Sequence, residues 1–162
     1  MAPDIKILFI TLLVIGITVG CKEDKKVIET PAITFTKEGE LQLYKQNSDS
    51  LVVAIDIEIA DTDYEKETGL MYRDHMKENQ GMLFVYDHMQ LHSFYMKNTK
   101  IPLDLVFIDD KLQIASFYEN AQPLNESSLS SQVPVQYILE LNAGMAQKLL
   151  LEVGDRVVFT RK

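Results

Sequence analysis

The sequence predicts an α+β, β-rich domain: a small, strongly bent sheet or partly closed β-barrel with two short helices. Three observations carry that reading. Leu51 to Ile59 alternates, with Leu51, Val53, Ile55, Ile57 and Ile59 on one face and Asp56 and Glu58 on the other, as expected of a strand with one buried and one wet face. Further short apolar runs follow at Met82–Tyr86, Ser93–Met96, Leu103–Ile108, Leu112–Tyr118, Val135–Leu141 and Arg156–Thr160, several separated by turn chemistry such as Asp109-Asp110 and Asn125–Gln132. Two capping patterns mark the helices.

Ile7–Gly20 carries no charge and has about the length of a signal-peptide apolar core, too short for a comfortable spanning helix. It is preceded by Lys6, weakened by Asp4, and ends in Thr18-Val19-Gly20-Cys21, which resembles a lipobox with Thr18 where Leu is usual. Residues 1–20 are therefore expected to be a lipoprotein signal peptide. Cys21, the only cysteine, would be the lipid attachment point, since a single cysteine excludes intramolecular disulfides and thiolate clusters. Multiple acyl chains at about 0.8 kcal/mol per buried methylene would make that anchor stable. Residues 21–32 are charged and aperiodic and read as a flexible tether, in which Lys22-Glu23-Asp24 resembles a surface-export tag. The expected location is the outer membrane, at its periplasmic face or at the cell surface.

Residues 33–162 form the single predicted domain. Ile33–Thr36 and Leu41–Tyr44 alternate around Lys37-Glu38-Gly39-Glu40, a hairpin signal. Asp61-Thr62-Asp63 can cap a helix running towards Met71, and Gly69 weakens its end. Asn142 can cap a second helix through Ala143–Leu150, after which Val153-Gly154-Asp155 turns into the last strand. Roughly eight strands and two short helices in about 130 residues suit one core.

Five words stand in order: Gly69-Leu70-Met71-x-Arg73, Gly81-Met82-Leu83-Phe84-Val85, Phe94-x-Met96-Lys97-Asn98-Thr99, Ile101-Pro102-Leu103-Asp104 and Leu139-Glu140-Leu141-Asn142-Ala143-Gly144. The series resembles the bacterial and archaeal family DUF192 from about Leu51 to Phe159. The resemblance implies a compact β-rich α+β fold, often exported, and implies no activity, because the family's biochemical function is not established. Tyr95 stands where the family commonly has Trp, and the histidine cluster is outside the family pattern.

The net charge of −8 and the lack of a basic stripe disfavour nucleic acid and anionic lipid. No Gly-x-Ser-x-Gly, His-Glu-x-x-His, phosphate loop or dinucleotide fingerprint occurs, so a binding or accessory module without catalysis or cofactor is the expected class. Arg73, Lys97, Asn98 and Asp104 are expected to line a cleft for a small polar or anionic ligand or an envelope protein partner, arginine offering a fork and lysine a point charge. The structural alternative is a fold lock in which Arg73 or Lys97 pairs with Asp104 or Glu140. A hydrolytic or carbohydrate-active enzyme using Asp104 and Arg73 is a second reading. A third is copper handling by Met71, His75, Met76, Met82, His88, Met89, His92 and Met96, since thioether and imidazole suit Cu(I). Met71, Met82 and Met96 stand in apolar words, where core packing is the commoner role.

The anchor is testable by metabolic labelling with palmitate. The wild-type chain should take up label at Cys21, and Cys21→Ala should abolish it. An unlabelled wild type that keeps its original N-terminus would refute the lipoprotein assignment.

Overall fold

The alternating run forms the strand β2 (Leu51–Ala60), around which the chain is arranged. The structure is a computed structural model that describes residues 33–48 and 50–162. The expected signal segment 1–20, Cys21 and the whole of the expected 21–32 tether lie outside the described residues. In chain order the elements are β1 (Gly39–Tyr44), β2, α1 (Asp63–Thr68), β3 (Gln80–Gln90), β4 (Ser93–Phe94), β5 (Leu103–Ile108), β6 (Ile114–Ala121), β7 (Leu129–Ser130), β8 (Val135–Asn142), α2 (Met145–Lys148) and β9 (Arg156–Arg161).

Seven strands make one mixed sheet in the order β6-β5-β8-β3-β2-β1-β9, and β4 pairs with β7 in a small separate ribbon. Only β2 and β3 run parallel within the large sheet. A parallel pair cannot be joined by a tight turn, so α1 and residues 69–79 make the crossover. The sheet bends until its edge strands meet at one end. There Ile114 N donates to Asp155 O at 2.9 Å and Val157 N to Leu112 O at 2.8 Å. A single bridge, Gln113 to Arg156, joins the edges, so the sheet is strongly bent and is not closed into a barrel. The Asp155 carboxylate fastens this end, accepting from Gln46 N, Glu152 N and Lys45 Nζ at 2.9–3.0 Å.

The bend gives the sheet two covered faces. Leu41, Leu43, Ile55, Ile57, Leu83, Leu139 and Leu141 fill the inner face. Met82, Phe84, Leu105, Phe107 and Ile138 belong to the outer one, packed with Leu70, Met96 and Leu129 from the connections. All six residues of β5 are buried for this reason. The expected wet face of β2 is likewise not wet at its C-terminal half, where Glu58 is only 6 % exposed.

Two further elements differ from those the sequence predicts. The 33–36 segment forms no strand with β1, which instead pairs with β2 on one side and β9 on the other. Gly39 is no turn residue. A Cβ there would lie 2.4 Å from Thr160 O, so glycine permits the approach of β9. The second helix is a single turn without a side-chain cap on its preceding residue, Gly144, and Asn142 instead donates to Met76 O and Lys77 O at 3.0 and 3.2 Å. The first helix has the expected start, a capping box in which Glu65 N donates to Thr62 Oγ1 and Thr62 N to the Glu65 carboxylate.

Asp104 supplies what Asn142 does not. Buried in β5, its two oxygens accept from Asn120 N and Ala146 N, each at 2.9 Å, so one carboxylate joins β5, β6 and α2. Asp104→Ala strands two buried amides and should cost about 2–4 kcal/mol in a urea melt. A loss below about 1 kcal/mol would show that these bonds do not hold the fold.

Candidate functional site

Glu58, Met82, Glu140 and Leu105 stand side by side across β2, β3, β8 and β5. Their neighbours Ile57, Ile59, Leu139 and Leu141 point to the inner core, so strand alternation sends this row to the outer face. Two carboxylates are thereby fixed on rigid strands, with one thioether between them.

The crossover segment that follows α1 lies over the row. Gly69 ends the helix at φ 46, its N–H donating to Glu65 O at 2.7 Å, and a Cβ there would come within 2.9 Å of Phe84 Cζ. Glycine is therefore required both by conformation and by space. Four residues on, Arg73 Nη2 reaches Glu58 Oε2 at 2.7 Å, with side chains only 11 % and 9 % exposed. The contact is an ion pair whose angles do not make a hydrogen bond at that oxygen; Glu58 Oε1 accepts from Thr36 N at 2.9 Å. Arg73 Nε and Glu140 Oε2 are buried with no hydrogen-bond partner. Burial pushes the Glu140 carboxyl up to about 8, against the opposing pull of the Arg73 charge, so Glu140 is mostly a neutral acid at pH 7.

Two clefts flank the segment, and Thr68, Gly69 and Met71 line both. The first, about 280 Å³, is bounded by Glu58, Arg73, Met82, Tyr64 and Tyr72. The second, about 210 Å³, is bounded by Glu140, Phe84, Phe94, Tyr86, Tyr95 and Lys66. Phe84 and Phe94 meet edge to face at 5.2 Å, and Lys66 Nζ sits 4.9 Å from the Tyr86 ring centre. Burial, with Glu140 adding to it, pushes the Tyr86 phenol up to about 12. His92 stacks on the same ring at 3.8 Å, and burial lowers its imidazole below the ordinary histidine value.

The four residues expected to share a cleft do not converge. Arg73 faces the outer site, paired with Glu58 rather than with Asp104 or Glu140. Asn98 supports it indirectly, donating to Tyr72 Oη at 2.9 Å while its carbonyl accepts from Tyr72 N. Lys97 is exposed, and Asp104 is on the other face of the sheet, committed to backbone amides. This also separates the Asp104 and Arg73 of the enzymatic reading.

The sulfur and imidazole groups divide by burial. Met82 and Met96 are core residues and Met76 packs against them, whereas His75, His88 and Met89 are exposed. Met71 lines the clefts and His92 is buried on Tyr86. Among the described residues no three His, Asp or Glu side chains are grouped to hold a metal.

The residue that sequence reasoning missed is Glu58. Its signal is present in Glu58-Ile59-Ala60, where alternation gives way to an apolar pair and a strand buried on both faces begins.

The family model of DUF192, described as an uncharacterized ACR, matches residues 44–159. A Sinorhizobium meliloti protein, described as a candidate transcription regulator, has a crystal structure 34 % identical to this chain with a TM-score of 0.73, covering 78 % of this chain and 96 % of its own. A Novosphingobium aromaticivorans protein of unknown function is 29 % identical with a TM-score of 0.69, covering 74 % and 83 %. No curated protein matches.

The raised pKa of Glu140 has a signed consequence for stability. The folded state holds this proton more tightly than the unfolded chain, so stability is full below the ordinary glutamate value near 4.5 and is lost as pH rises through about 8. Glu140→Gln should flatten that decline and make the variant more stable than the parent above pH 8, by an amount of order a few kcal/mol. Melts from pH 5 to 9 check this; parallel pH curves for the two proteins would contradict it.

Proposed function

The chain belongs to the DUF192 family, and on that premise we propose that it is a lipid-anchored envelope protein whose domain binds a small ligand in the clefts on either side of Gly69. The lipobox and the solitary Cys21 support the anchor. One observation carries the binding site: Arg73 Nε and Glu140 Oε2 are held dry and unpartnered beside open clefts. Each such group costs about 1–3 kcal/mol when left unmatched, so their placement on rigid elements around open space suits a ligand that completes them. Aromatic walls with a few polar groups at one end have the composition of a small-molecule site.

The description attached to the Sinorhizobium meliloti relative does not transfer easily to this chain. A net charge of −8 works against a phosphate backbone.

The test is calorimetric titration and thermal shift of the full-length protein in detergent, against a panel of small carboxylates, amines and saccharides. At least one class should bind, and Arg73→Lys, which keeps the charge but loses the guanidinium fork, should weaken a ligand of the first cleft at least tenfold. Absence of binding across the panel, or binding untouched by substitutions in both clefts, would remove the assignment.

A further inference from the structure

We infer that the second cleft takes the carboxylate group of a small monocarboxylic acid, with Glu140 as the buried acid that donates a hydrogen bond to it. The inference rests on the binding role proposed above and specifies its chemistry. The geometry begins at Glu140 Oε2, which is buried and unpartnered and lies 4.0 Å from the position a Cβ on Gly69 would occupy. Glycine at that position keeps the approach open. The apolar body of a ligand would meet the Phe84–Phe94 pair and the half-exposed Tyr95, and about 210 Å³ is room for one ring or a short chain. That is smaller than the roughly 300 Å³ at which drug-sized sites begin.

Charge selects among ligand classes. Lys66 stands at the cleft with its ammonium over Tyr86, so a second cation entering there meets a like charge. An anion meets an attractive one, provided that Glu140 is neutral. Two ionised carboxylates in one dry cleft would repel, whereas a neutral carboxyl beside an anionic one shares its proton in a strong hydrogen bond. The groups facing Glu140 favour that form on balance. Burial raises it, Arg73 lowers it, Tyr86 stays neutral, and Glu58 across Met82 is already paired with Arg73. Lys66 and Glu67 from α1 also line the cleft and offset each other in charge.

The probe is benzoate, with benzylamine as the cationic isostere, titrated into the full-length protein in detergent from pH 7 to 9.5. Benzoate stays ionised throughout, His92 is lowered below this range and Tyr86 lies above it. Affinity of the wild type should fall about 30-fold across it, as Glu140 loses the proton it donates. Glu140→Gln retains a donor that cannot ionise, so it should bind benzoate with no such fall; Glu140→Leu should not bind. Lys66→Gln should weaken benzoate several-fold. A flat wild-type profile, an equal fall in Glu140→Gln, or tighter binding of benzylamine would each overturn the inference. Should Glu140→Gln not fold, the wild-type profile and Lys66→Gln decide the matter by the same criteria. Binding of a saccharide or amine at these clefts without benzoate would refute this inference alone; no binding by any panel member would refute the binding role as well.

Discussion

The parallel pairing of β2 with β3 is the constraint on which the outer site depends. Antiparallel neighbours could have been joined by a short turn at the sheet edge, leaving the outer face to solvent. Parallel neighbours force the chain to cross that face. The crossing brings α1, Gly69 and Arg73 over a row of residues in which Glu58 and Glu140 already point outward. The buried charges, both clefts and the separating wall between them follow from one strand polarity.

The crossing segment is held at a cost. Tyr72 and Asn98 both occupy the left-handed region, at φ 64 and φ 58, where a side chain loses about 1 kcal/mol or more. Each stabilises the other, Tyr72 N donating to Asn98 O at 2.8 Å and the Asn98 amide to Tyr72 Oη at 2.9 Å. Arg73 follows directly, so two strained residues fix the direction from which its guanidinium enters. The ion pair with Glu58 then offsets part of the desolvation of both groups, while Glu140 avoids its share by keeping a proton.

Local pattern made much of the fold legible. The alternation of Leu51 to Ile59, the Thr62 cap with Glu65 and the continuous apolar run of β5 each reflect forces acting within a few residues. Partner choice is different. Gly39 reads as a turn until the last strand of the chain lies against it, and Asn142 reads as a cap until Asp104, from another strand, takes that role. The site divides in the same way. Arg73 and Glu140 stand in the five shared words, but Glu58 sits outside them and its burial depends on what the crossover covers. Asp104 stands in those words too, and its importance is structural.

The seam at which Ile114 and Leu112 meet the segment leading into β9 makes the domain's completion depend on its last residues. β1, near the start of the described chain, finds its outer partner only in Arg156–Arg161. Contacts of such long separation form slowly, because the long stretch of chain between them must be closed into a loop before they contribute. Without β9, the strand β1 would be left as an open sheet edge, free to pair with another chain.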